Sequence, residues 1–334
     1  MTNEIAKPHP LIYTRNSLKL DVGKETDQIV ESLSASVHQN FHRQGAVVGI
    51  SGGIDSSVVL ALCVRAFGAD RVIGVLLPER ESSPESAILA HQLADHYGVQ
   101  TVTEDISAAL EGFGCYQRRN EAIQRIFPQF EPGWNVKIVL PGDLLKHGTL
   151  NIFRLVVTDP AGNEFSQRLP LPEYYQIVAA SNFKQRTRTT YLYYHAELRN
   201  YAVIGTPNKN EHDLGFFVKF GDGGYDIAPI RHLFKTQVFQ LAEYLNVPEQ
   251  IRQRPPSTDT YPGGGTQEEF FFRLPFEILD LIWYGYDHNI DKEAIALALD
   301  LNIDQVARVY EDVQRKKQTT AYLRTPPAGL DHFL

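Results

Sequence analysis

Residues 46–67 read AVVGISGGIDSSVVLALCVRAF, and this junction constrains the chain more than any other stretch. The apolar run AVVGI at 46–50 suits a strand buried on both faces of a parallel sheet. SSVVLALCVRAF at 56–67 has helical character, and Gly68 is placed to stop it. Between them lies SGGIDSS, Ser51 to Ser57. Two glycines let the backbone turn sharply and bring its N–H groups close to a ligand. The loop runs into a helix N-terminus, where orphan N–H groups and the dipole favour an anion. Ser51, Ser56 and Ser57 add hydroxyl donors, whereas Asp55 suits a phosphate site only if a divalent cation stands between the two. The loop has neither the Gly-Lys-Ser/Thr ending of a Walker A loop nor a GxGxxG pattern. It is therefore expected to hold pyrophosphate without the lysine that serves γ-phosphate transfer. The bland reading is a Ser/Gly-rich turn capping a helix, and the strand–loop–helix setting weighs against it.

The surroundings repeat the theme. A helix is expected over 26–43, with Ile29, Leu33, Val37 and Phe41 four apart. RVIGVLLP at 71–78 and VQTVTEDI at 99–106 are strands. The helix between them opens at Ser83-Pro84-Glu85, reaches Tyr97 and stops at Gly98. Strands alternating with helices predict a doubly wound α/β fold with a mostly parallel sheet covered on both faces. The pattern breaks after residue 112. Residues 113–180 carry Pro128, Pro132, Pro141, Pro160, Pro170 and Pro172, and 151–171 reads as strand, turn, strand around Asp159–Asn163. A helix resumes at 181, followed by the strand YAVIGT at 201–206; 288–318 reads as two helices joined near 301–304. The expected division is an N-terminal arm at 1–25 and an α/β nucleotide-binding domain at 26–112 and 181–287. A β-containing insertion at 113–180 and a helical C-terminal extension at 288–334 complete it.

Composition removes several function classes. With 32 basic and 40 acidic residues the net charge is −8, which argues against bulk binding to nucleic acid or membrane. The two cysteines, Cys63 and Cys115, are too few for a disulfide framework or a Cys-rich zinc site. No apolar run approaches the ~18 residues of a membrane span, and the start, MTNEIAKPHP, carries no signal-peptide core. A cytoplasmic chain is expected. His38 and His42 stand four apart without a third ligand and read as a solvated helix face.

A second block, GTPNKNEHDLGFFVKFGDGGYDIAPI at 205–230, follows the strand at 201–206. Gly205-Thr206 stands at that strand's end, where α/β sheets bind ligands. Glu211 is placed to reach the same crevice. With Asp55 it makes two carboxylates near one polyphosphate, the way Mg²⁺ is usually held. The alternative is a surface helix glutamate behind an Asn208 cap. FVKFGDGGYD reads as a tight loop with Lys219 and Asp226 as opposite charges, and Lys235 sits early in the helix after Pro229. Arg186 and Arg188 stand two apart, so they point to different faces of their helix.

SGGIDSS resembles the PP-loop of the ATP pyrophosphatase superfamily, whose members cleave ATP between its α and β phosphates and adenylate a substrate. The block at 205–230 resembles that of NAD synthetases. LFKTQVFQLAEYLNVP at 233–248, RPPSTDTYPG at 254–263 and SNFKQRTRTTYLYYHAE at 181–197 extend the likeness. It implies ATP on Gly49, Ile50, Ser51, Gly52, Gly53, Ile54, Asp55, Ser56 and Ser57, with Thr206, Lys235 and Ser257. It implies Mg²⁺ on Asp55 and Glu211, and the acyl substrate on Asn182, Arg186, Lys219 and Asp226. Asp55 and Lys235 are then the catalytic pair. The implied reaction adenylates the nicotinate carboxylate of deamido-NAD and transfers ammonia, free or delivered by a partner, to give NAD, AMP and pyrophosphate. Family members are homodimers, so a homodimer is expected. Two departures stand out. Compact members lack the insertion, which suits a lid, an oligomer contact or a docking surface for an ammonia source. They also carry a His-Lys pair near the end, where this chain reads KKQTTAYLRTPP at 316–327 and offers only Lys316, Lys317 or Arg324. The second departure keeps open a related amide ligase acting on another carboxylate, such as nicotinate mononucleotide. A non-catalytic nucleotide-binding module is disfavoured by Asp55, Glu211 and Lys235 occurring together. A tRNA-modifying enzyme is disfavoured by the charge balance and the isolated cysteines.

Overall fold

A computed structural model of the chain describes residues 13–140, 142, 144–146, 152–256 and 266–329. In chain order the first half is α1 (Val22–Ser34), a π-helical turn (Ala35–Asn40), β1 (Ala46–Gly49), α2 (Ile54–Phe67), β2 (Val72–Leu76), α3 (Pro84–Tyr97), β3 (Gln100–Thr103), α4 (Ser107–Gly112), α5 (Cys115–Ile126), β4 (Asn135–Val139), β5 (Arg154–Thr158) and β6 (Glu164–Arg168). The second half is α6 (Leu171–Arg199), β7 (Ala202–Ile204), α7 (Lys209–Leu214), α8 (Lys235–Tyr244), α9 (Glu249–Gln253), α10 (Phe276–Asp287), α11 (Lys292–Leu299), α12 (Ile303–Thr319) and α13 (Ala321–Arg324).

The principal sheet has the order β3-β2-β1-β7 with every pairing parallel. β1, β2 and β7 are buried on both faces, which is why they read as unbroken apolar runs, whereas β3, at the sheet's edge, is partly exposed. Ala46 and Val48 of β1, Val72 and Leu76 of β2, and Ala202 and Ile204 of β7 pack with residues of α1, α2, α3 and α8. The alternate residues Val47, Ile73, Val75 and Val203 face α4, α5 and α6 instead. β1 pairs with the next strand in sequence on one side and with β7 on the other. The chain thus reverses its winding beside β1, and in open α/β sheets the crevice at such a reversal, at the strands' carboxyl ends, is where ligands bind. Among the described residues no helix is long and apolar enough to cross a membrane.

Residues 113–180 differ in detail from their sequence reading. The strand–turn–strand is present as β5 and β6, with Asp159 Oδ1 accepting from the Asn163 amide at 2.8 Å. A third antiparallel strand, β4, joins β5, and the segment opens with the helix α5. Helix α6 starts at Leu171, ten residues before the expected 181. Pro170 and Pro172 read as breakers, yet Pro170 caps the helix and Pro172 lies in its first turn, where a missing N–H costs nothing. The small sheet and helices α5 and α6 share an apolar core built on Phe127, Phe130, Val136, Leu155, Val157 and Ile177.

One ion network ties this segment to the main sheet. Lys184 of α6 is 1% exposed and donates to Glu79 Oε1 and Glu81 Oε2, each at 2.8 Å, just past β2. Arg119 of α5 grips both oxygens of Glu81 at 2.6 and 2.7 Å, and Tyr116 donates to Glu79 at 2.7 Å. Burial pushes the Glu81 carboxyl up, but the Arg119 hydrogen bonds and the Lys184 charge outweigh it and hold the group down at about 2. Removing one partner of such a buried cluster leaves charge uncompensated, at a cost of roughly 3–5 kcal/mol. Lys184→Met is expected to lower stability to urea by about that much. A loss below about 1 kcal/mol would show that the network is no stronger than a surface ion pair.

Candidate active site

A cavity of about 600 Å³ opens at the carboxyl ends of β1 and β7. Its floor is the loop after β1. Gly52 sits at φ +71°, and a Cβ there would lie 2.6 Å from the Ser86 carbonyl of α3, so only glycine lets the loop pack so tightly. Gly53 caps α2 without a side chain, leaving the first-turn amides of Ile54, Asp55 and Ser56 to the cavity those residues line. Ser51 Oγ accepts from Gly53 N at 3.3 Å and lies 3.4 Å from Ser56 Oγ, which fixes the turn. Of the expected nucleotide residues, Gly49, Ile50, Ser51, Gly53, Ile54, Asp55, Ser56, Thr206 and Lys235 line the cavity. Gly52 supports the loop from behind. Ser57 is fully buried, its hydroxyl donating to the Gly53 carbonyl at 2.8 Å. Ser257 lies outside the described residues.

The charged centre joins three elements. Asp55 of α2 forms an ion pair through Oδ2 with Lys235 Nζ of α8. Its other oxygen accepts from Asn208 Nδ2 at 2.9 Å. Asn208 is fully buried and also caps α7: its side chain accepts from Glu211 N at 3.0 Å, while its own N–H donates to Glu211 Oε2 at 3.3 Å. Gln267 donates to Glu211 Oε1 at 3.0 Å. The two sequence readings of Glu211 therefore coexist, since it closes a capping box and also lines the cavity. Burial and then the Asp55 charge raise the Glu211 carboxyl well above the ordinary carboxylate range. Burial pulls the Lys235 ammonium down, but Asp55 and Glu211 outweigh it and the net direction is up. Two mutually repelling carboxylates of hard oxygen donors, balanced by one ammonium, are a donor set that fits a divalent cation. Among the described residues no group of three or more His, Cys, Asp or Glu side chains gathers to hold a metal, so substrate oxygens would have to complete the shell.

The expected acyl-substrate residues divide. Asn182 of α6 lines the cavity. Of the two arginines it is Arg188 that lines it, with Nε donating to the Leu77 carbonyl at 3.2 Å; Arg186 points elsewhere and donates to Lys219 O at 3.4 Å. Lys219 Nζ donates to the carbonyls of Tyr322 and Thr325 at 2.9 and 2.8 Å, tying down α13. Asp226 lies alongside β7, accepting from Val203 N at 2.8 Å and from the Tyr193 hydroxyl at 3.2 Å. Lys316 donates to the Phe271 carbonyl at 2.6 Å and Arg324 to the His212 and Lys317 carbonyls at 3.2 and 2.6 Å, whereas Tyr322 and Leu323 line the cavity.

Other lining residues went unassigned from sequence. Tyr174, Val178, Gln185 and Thr189 share the cavity face of α6 with Asn182, at steps of 4, 4, 3 and 4 residues. Phe153, stacked on Tyr174 with ring centroids 4.7 Å apart, joins them. Helical spacing is the available signal, and a helix start at 181 hides Tyr174 and Val178 from it.

The NAD synthase family model matches residues 25–126 and 156–327. An NH(3)-dependent NAD(+) synthetase from Mesorhizobium japonicum is 49% identical over 310 residues, covering 93% of this chain and 97% of its own. Among solved structures, NMN synthetase from Francisella tularensis aligns with a TM-score of 0.63 at 23% identity, over 93% of this chain and 98% of its own. An NH3-dependent NAD synthetase from Campylobacter jejuni gives 0.59 at 22%, over 93% and 99%. At such identities the two structures establish the fold alone.

The raised Glu211 group makes a prediction about stability. Between its ordinary value of 4.5 and about 8 the folded chain holds a proton there that the unfolded chain has lost, so stability contributed by this group falls as pH rises through that window. Glu211→Gln removes the dependence. In the absence of metal and nucleotide, its melting temperature should match wild type near the bottom of the window and exceed it at and above the top. An equal difference at both ends would show that Glu211 is not perturbed in this way.

Proposed function

The chain belongs to the NAD synthase family, and we propose that it is an ammonia-dependent NAD synthetase that adenylates deamido-NAD. The observation that carries the reading is the Asp55–Lys235–Asn208–Glu211 cluster, set where the loop after β1 meets the end of β7. ATP lies with its β and γ phosphates over the first turn of α2, whose amides and dipole stabilise the anion. The nicotinate carboxylate attacks the α-phosphorus, the α–β phosphoanhydride breaks and pyrophosphate leaves. Ammonia then attacks the acyl carbon, AMP leaves, and the nitrogen loses a proton to give the amide. A carboxylate resists nucleophiles, and adenylation supplies the leaving group it lacks, so no covalent protein nucleophile is required. Lys235, buried and held charged, stabilises the negative charge that moves onto the departing pyrophosphate. Asp55 and Glu211 would hold Mg²⁺, which supplies charge neutralisation along the polyphosphate. Asn182 and Arg188 face the acyl substrate from α6. Arg186, Lys219 and Asp226 lie outside the single-chain cavity, and a role for them belongs to a homodimer. The exposed apolar residues of α6, Leu171, Tyr175, Tyr194 and Leu198, suit such an interface.

Incubated with Mg²⁺, ATP, ammonium and deamido-NAD, the protein is expected to form NAD, AMP and pyrophosphate in equal amounts. Release of ADP and orthophosphate would exclude adenylation. Turnover of nicotinate mononucleotide with none of deamido-NAD would transfer the assignment to the related ligase. Lys235→Ala removes a charge-assisted contact worth about 1.5–3 kcal/mol. In steady-state kinetics at saturating ATP, kcat should fall by about one to two powers of ten while KM for the acid changes little. A pure KM effect would take Lys235 out of the transition state.

A further inference from the structure

Asp280, on α10, is fully buried and has no part in the chemistry above. Its Oδ1 accepts from Asn210 Nδ2 at 2.5 Å. Its Oδ2 accepts from the Thr236 amide at 2.9 Å and the Thr236 hydroxyl at 2.8 Å. Asn210, also fully buried, turns its own oxygen to the Lys235 amide at 3.0 Å. One carboxylate thus reaches the residue beside Glu211 on α7 and the first turn of α8, where Lys235 stands. The neighbours of Asp280 on α10, Leu279, Leu281, Ile282 and Trp283, are apolar and buried, so an apolar residue would be the ordinary occupant of its position.

We propose that Asp280 is a positioning residue, which sets Lys235 and Glu211 relative to each other through Asn210 and the first turn of α8. The inference rests on the roles given above to those two residues. A buried carboxylate is costly unless donors converge on it, and here the three donors come from α7 and α8, the two elements whose spacing the chemistry needs. A negative charge at the first turn of α8 also favours that helix start. Fixing the Lys235 amide through Asn210 fixes the root of the side chain whose far end is held by Asp55. The Asp280 charge adds to those of Asp55 and Glu211 in keeping the Lys235 ammonium protonated.

The test is a polarity swap. Asp280→Asn sets an amide nitrogen against one of the three donors, and kcat for NAD formation should fall about a hundredfold, the scale of a small misplacement of reacting groups. KM for deamido-NAD should stay unchanged. Asn210→Asp alone places two carboxylates face to face and should fail similarly. In the double variant the new amide at 280 donates to the new carboxylate at 210, which still accepts from Lys235 N, while Thr236 keeps an acceptor. The double variant should recover to within about tenfold of wild type. Assays run well below each variant's unfolding midpoint compare folded protein with folded protein. If Asp280→Asn does not fold, Asn210→Ala decides: a kcat loss of about tenfold at constant KM supports the relay, and wild-type kcat overturns it. Wild-type kcat in Asp280→Asn, or a double variant no better than its parents, overturns the proposal. NAD formation by wild type in the same assay checks the functional reading separately.

Discussion

The buried ion pair of Asp55 and Lys235 is the contact on which the site depends. It joins the first turn of α2 to α8 beside the sheet's point of reversal, and Asn208 carries the connection on to Glu211. None of these groups could be buried alone. An ammonium 1% exposed needs a carboxylate beside it. Each element is therefore held by the charge that its neighbour supplies.

A second buried network does different work. Lys184, Glu79, Glu81 and Arg119 hold α5 and α6 to the segment just past β2, beside the cavity residues Pro78 and Ser82. The small antiparallel sheet is thereby anchored beside the cavity. Residues of both outlying segments line that cavity: Phe153 and Tyr174 from the segment at 113–180, and Tyr322 and Leu323 from the C-terminal segment. Lys219, expected on the substrate, donates to the carbonyls of Tyr322 and Thr325 in that C-terminal segment.

Much of this was legible in the residues. β1, β2 and β7 announce themselves because both faces are apolar, and the loop at 51–57 stands out through its glycines and its helix start. Asp55, Glu211 and Lys235 were found from motif blocks, and the structure gathers them into one cluster. What escaped has physical causes. Proline at a helix's first turn looks the same in sequence as proline that breaks one, so α6 lost its first ten residues and with them Tyr174 and Val178. The spacing of Arg186 and Arg188 says that they diverge, but which one turns inward depends on where the helix sits on the sheet. Strand β4 has partners only in space, and its pairing with β5 across the intervening residues leaves no local mark. Asp280 lies seventy residues from Asn210, and nothing near it in sequence points to its partners.

Carboxylate attack at the α-phosphorus is the step that defines the proposed reaction, and isotope transfer reads it directly. Deamido-NAD labelled with ¹⁸O in both oxygens of its nicotinate carboxylate should deliver one ¹⁸O to the phosphate of AMP and keep the other in the amide of NAD. Label in pyrophosphate or orthophosphate, or AMP without label, would contradict it.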